Sequence, residues 1–164
     1  MNRKSLIATI KSNCSSLLKD GQCSDGSPCT YIEVFEDPDK SRYIGISSNG
    51  FWCSIDSGRI IEIKEIDHRR IFFRLLENPL DKIVELIKQG LKTKKLPISA
   101  IITFPFDELI ISALQSSWSD LAQQWIAEGY PINDEIRMVL CNNDKQSKLW
   151  INSQRERFSD VLGI

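Results

Sequence analysis

Apolar residues in the first stretch of chain recur at three- and four-residue steps. Leu6, Ile7, Ile10, Cys14, Leu17 and Leu18 form one face of a helix over Lys4 to Leu18. Gly21, just beyond, suits the left-handed residue that often ends a helix, and the small polar stretch Gln22 to Pro28 reads as a loop. The period then drops to two. Tyr31 to Phe35, Arg42 to Ser47, Phe51 to Ile55 and Arg59 to Ile66 predict four strands, and Arg70 to Leu76 a fifth. Between them lie Glu36-Asp37-Pro38-Asp39-Lys40, Asn49-Gly50 and Asp56-Ser57-Gly58, each a turn by composition. Asn49-Gly50 is the dipeptide best able to supply the two positive φ angles of a type I′ hairpin. Connections this short join antiparallel neighbours, so a β-meander is expected.

At Asn78-Pro79 the pattern changes again: a capping residue is followed by proline where a first helical residue would stand. Leu80, Ile83, Val84, Leu86, Ile87 and Leu91 then keep helical spacing, and Lys92 to Pro97 is a polar connector. Ile98 to Phe104 is a short apolar run that leaves strand and helix both open. Pro105 opens a helix carrying Phe106, Leu109, Ile110, Ala113 and Leu114. Ser117 can cap a second, with Trp118, Leu121, Ala122, Trp125 and Ile126 on its apolar face and Gly129 as its stop. Asn133 or Asp134 can cap a third, and a last helix is expected from about Ser147. The fold class is therefore α+β: an N-terminal helix, a four- to five-stranded antiparallel meander, then four to five packed helices. At 164 residues this is the size of one domain, with helix and meander in 1–77 and a helical part in 78–164.

Charge narrows the partners. Lys and Arg total 21 against 22 Asp and Glu, so no global field favours nucleic acid or a strongly charged protein. The apolar stretch after the basic N-terminus ends at Lys11, too short for a signal peptide, and no run has the length of a membrane span. A cytoplasmic chain with reduced thiols is the expectation.

Candidate chemistry is sparse. Cys14, Cys23, Cys29 and Cys53 together resemble a thiolate set, but their spacing is not that of a structural zinc site, and buried or loop thiols explain them better. His68, the single histidine, follows Asp67 at an expected strand junction, with no serine elbow to serve. Asp107-Glu108 and Asp134-Glu135 fall in first helical turns, where the helix dipole favours carboxylates. Neither a Walker A loop nor a dinucleotide glycine motif is present. Arg69, Arg70 and Arg74 interleave with Ile71, Phe72 and Phe73, which admits single-stranded nucleic acid as one alternative and an unrecognised small enzyme as another. The leading expectation is a non-catalytic protein-binding domain without cofactor or metal. Its partner would meet the acidic turn Glu36, Asp37, Asp39 and the aromatic pair Phe51-Trp52.

Leu114-Gln-Ser-Ser-Trp118-Ser-Asp-Leu121-Ala-Gln-Gln-Trp125-Ile-Ala-Glu-Gly129 resembles helical stretches of small bacterial toxin-immunity proteins. The resemblance covers about the last third of the chain and transfers no catalytic residue. It implies a single-domain cytosolic protein that binds one toxin and blocks its active site.

Overall fold

A computed structural model describes residues 1–39, 42–64 and 67–142. The chain forms two compact units, Met1–Pro105 and Phe106–Ile164. The helix expected from Ser147 lies outside the described residues.

The first unit opens with α1, Arg3–Asn13, capped by the Asn2 side chain, which accepts from the Ser5 amide at 3.0 Å. The helix is shorter than its apolar periodicity suggests. A 3-10 turn, Ser15–Leu17, follows, and then strand β1, Lys19–Cys23, where a loop was expected. Gly21 is not a helix cap. It sits inside β1 because a Cβ there would lie 2.7 Å from Ile60 Cδ1 and 2.8 Å from Tyr31 Cε1. Strands β2 (Pro28–Glu36), β3 (Tyr43–Ser47), β4 (Trp52–Asp56) and β5 (Arg59–Glu62) match the four expected strands within a few residues.

Consecutive strands pair antiparallel, as a meander should. The sheet does not stay open, however. Strand β1 also pairs with β5, through Gln22↔Arg59 and Cys23↔Ile60, and closes a five-stranded barrel. That closing ladder is parallel, so the sheet is mixed. Direction alternates along a meander, so the first and fifth strands of an odd set must point the same way.

The expected fifth strand, Arg70 to Leu76, is instead part of a 3-10 segment, Asp67–Glu77. Phe72, Phe73, Leu75 and Leu76 are buried, whereas Arg74 and Glu77 are exposed. This is a repeat of three, the 3-10 period, and not the alternation of a strand.

The turns also differ from the expectation. Asn49-Gly50 does not form a type I′ turn, since Gly50 alone of the two has positive φ, at 75°. Its amide donates to the Ser47 carbonyl at 2.8 Å, a three-residue hairpin loop ending in a left-handed glycine. The two consecutive positive φ angles fall at Ser57 (49°) and Gly58 (83°), in the two-residue turn between β4 and β5.

Residues paired across a ladder share a face, so one chain of pairs identifies the barrel interior. It runs Gly21↔Cys29, Tyr31↔Ser47, Gly45↔Cys53, Cys53↔Glu62 and Ile55↔Ile60. Five strands leave a narrow bore. Glycine at 45 is required there, because a Cβ would come within 2.3 Å of the Ile32 carbonyl. The opposite face of the sheet carries Ile32, Ile44, Ile46 and Trp52, all buried outside the bore.

Helix α2, Leu80–Thr93, packs on β2 and belongs to this first unit. A second 3-10 segment, Ile98–Thr103, settles the ambiguous apolar run. In the second unit α3 (Phe106–Leu114), α4 (Ser119–Ala127) and α5 (Asp134–Asn142) fall where helical spacing placed them. The Asn133 side chain caps α5 by accepting from the Ile136 amide at 2.8 Å. Burial and the neighbouring Asp107 carboxylate, which accepts its hydroxyl proton in a hydrogen bond, push the Tyr130 phenol far up.

Candidate functional site

Strand β2 carries a bulge: Glu33 pairs with Gly45 and Phe35 with Ile44, leaving Val34 as the extra residue. The Val34 carbonyl lies against Gly90 of α2, where a Cβ would stand 2.2 Å from that oxygen. Glycine inside the helix thus lets α2 come down onto the bulge. Beside this contact lies a groove of about 330 Å³.

Its floor is apolar, with Val34 and Leu86. Glu33, Glu36 and Tyr43 stand on the barrel side, and Gln89, Thr93 and Lys94 on the helix side. Tyr43 is 41% exposed, one of the few large hydrophobic side chains so open to solvent among the described residues. Glu33 pairs with Lys19 across the β1–β2 ladder, whereas Glu36 is exposed at the end of its strand. The groove therefore offers an aromatic anchor, a negative group on one wall and an ammonium on the other.

The residues singled out in the sequence are dispersed. Glu36 borders the groove. Asp37 is only 1% exposed and accepts from Arg42 Nε at 3.0 Å, and Arg42 Nη2 goes on to donate to the Ile71 carbonyl at 2.6 Å. Asp39 accepts from Arg74 Nη1 at 2.7 Å. The acidic turn is thus tied to the first 3-10 segment by the Asp39–Arg74 ion pair and the Arg42 hydrogen bond to Ile71, and Arg74 is engaged there. Arg70 is exposed and Arg69 half-buried.

Phe51 and Trp52 lie at the other end of β3 from the acidic turn, since successive turns of a meander alternate ends. Trp52 is 2% exposed, donates from its indole N–H to Thr103 Oγ1 at 3.0 Å and meets Phe104 edge-on. Phe51 is half-buried, with the Arg3 guanidinium 3.7 Å from its ring centroid and Lys64 at 5.2 Å.

A second polar assembly occupies the mouth of the barrel. Glu62, 5% exposed, takes hydrogen bonds from Asn49 Nδ2 at 3.1 Å and from Ser47, and Lys64 is its ion-pair partner at Oε2. Burial pushes its carboxyl up, but Lys64, Ser47 and Asn49 together outweigh burial and hold it below its ordinary value. His68 Nδ1 lies 2.9 Å from the Glu62 carbonyl oxygen; a carbonyl can only accept, so the ring nitrogen is the donor. Burial first, then the nearby Glu62 and thiols, push the Cys53 thiol far up, so it is held as a thiol. Among the described residues no group of three or more His, Cys, Asp or Glu side chains is placed to hold a metal ion.

No family model, curated protein or solved structure matches this chain.

Local patterning shows Leu86 on an apolar helix face and Lys94 in the cluster Lys92, Lys94 and Lys95, but nothing in it sets Tyr43 and Gln89 beside them, because β2, β3 and α2 meet only in the fold. Gly90 carried a signal: an isolated glycine in a helical run costs stability unless something approaches closely. Among the described residues no helix is long and apolar enough to cross a membrane.

Proposed function

We propose that this chain is a non-catalytic, cytoplasmic protein-binding domain of the toxin-immunity kind, and that its partner docks on the groove between α2 and β2. The observation that carries the reading is the lining of that groove, with exposed Tyr43 beside an apolar floor and Glu36 and Lys94 on opposite walls. Tyrosine is favoured at protein interfaces because it contributes a large contact area with few rotors to freeze. Charges of opposite sign flanking an apolar strip fix orientation more than they add affinity. A protein surface offering an apolar residue between a basic and an acidic one is the matching occupant.

The test uses the purified products of the genes that flank this one, titrated calorimetrically against the chain. A toxin among them is expected to form a stoichiometric complex. Tyr43→Ala should weaken that complex about ten-fold or more, and Glu36→Lys should do the same without changing the melting temperature. Flanking products that do not bind, or a complex indifferent to both substitutions, would overturn the reading.

A further inference from the structure

We propose that Cys23 and Cys29 are a reversible redox clasp at the mouth of the barrel, joined by a disulfide in the presence of a small-molecule disulfide oxidant. The strand register places them together. Gly21 pairs with Cys29, and the Cys23 amide donates to the Ser27 carbonyl at 2.8 Å, so the two cysteines are diagonal neighbours on one face of the β1–β2 hairpin. Both are half-buried at the open end of the bore. Cys29 also packs on the buried group Tyr31, Cys53, Ile55 and Ile60, whereas Cys53 is fully buried behind it.

The position gives the link a consequence. Cys23 and its neighbour Gln22 make the two register pairs by which β1 closes on β5. A bond from Cys23 to Cys29 holds the last residues of β1 to the interior of β2 and so restrains the shortest ladder of the barrel. Burial and the adjacent Cys23 push Cys29 up to about 12, so the thiolate needed for a first attack is scarce at Cys29.

The chemistry balances with oxidised glutathione. The Cys23 thiolate attacks one glutathione sulfur, forms a mixed disulfide and releases one glutathione. The Cys29 thiolate then attacks the Cys23 sulfur and releases the second glutathione. Two protein thiols are oxidised, one glutathione disulfide is reduced, and both thiol protons pass through water to the departing glutathione thiolates.

The experiment incubates the full native chain with oxidised glutathione, quenches with iodoacetamide and maps cysteines by mass. The expected product is a peptide spanning both residues, two hydrogens lighter, unalkylated and restored by dithiothreitol. Cys53→Ala should leave that product unchanged, and Cys29→Ser should stop the reaction at a glutathione adduct on Cys23. Hydrogen exchange on the oxidised protein should slow about ten-fold at residues 19–23 and 59–62. A wild-type chain that keeps the adduct on Cys23, a disulfide that includes Cys53, or exchange at the seam unchanged by oxidation would each overturn the clasp.

Discussion

Asp37 shows how a residue's role depends on partners distant in the chain. In an acidic turn it suggests a solvated contact surface, yet it is buried and satisfied by Arg42, whose other end reaches the Ile71 carbonyl. Removing one side of a buried ion pair leaves an uncompensated charge, so Arg42→Met should cost about 3–5 kcal/mol, read as a lower urea midpoint. Gly90 makes the same point sterically. An alanine Cβ would meet backbone atoms of Val34, which cannot swing aside as a side chain can. Gly90→Ala should therefore destabilise by about 1–3 kcal/mol, although alanine is the better helix former. The same substitution at Gly58, where a Cβ has open space, should cost less and only through its positive φ.

The 3-10 segment Asp67–Glu77 separates what periodicity reveals from what it leaves ambiguous. The run Phe72-Phe73-Arg74-Leu75-Leu76-Glu77 repeats two apolar residues and one charge, a period of three that neither strand nor α-helix explains. On a strand Phe72 and Phe73 would point to opposite faces, and Phe72 would share a face with Arg74. Here both rings are buried, Phe72 stacking on Phe104 at 5.3 Å between centroids. Phe72→Ala and Phe73→Ala should each cost about 3–5 kcal/mol, and Arg74→Ala well under half of that. A large loss at only one of the two phenylalanines, measured by denaturant unfolding, would restore the strand. The remaining helices were legible because their apolar spacing and caps are local. Strand β1 was not: Lys-Asp-Gly-Gln-Cys has almost no β-branched or aromatic content, and becomes a strand only because β2 and β5 flank it.

For the whole molecule, closure of the barrel places Glu62 where it links β5 to the β3–β4 turn through Ser47 and Asn49. Its carboxyl titrates below the unfolded-chain value of 4.5, so its stabilising contribution is complete above that pH and is lost as pH falls through the lower folded value. Urea midpoints measured from pH 7 to about pH 3 should fall in the acid limb, and Glu62→Gln should flatten that part of the fall. The positions of strands β2–β5 and of helices α2–α5 follow from contacts within a few residues, which composition and spacing record directly. Ring closure, the bulge at Val34, the glycine requirements at 21, 45 and 90, the burial of Asp37 and Trp52, and the groove beside Tyr43 depend on residues tens of positions apart. Such pairings become defined when the first strand meets the fifth and α2 settles on β2, because burial and steric fit belong to the assembled surfaces and not to any one segment.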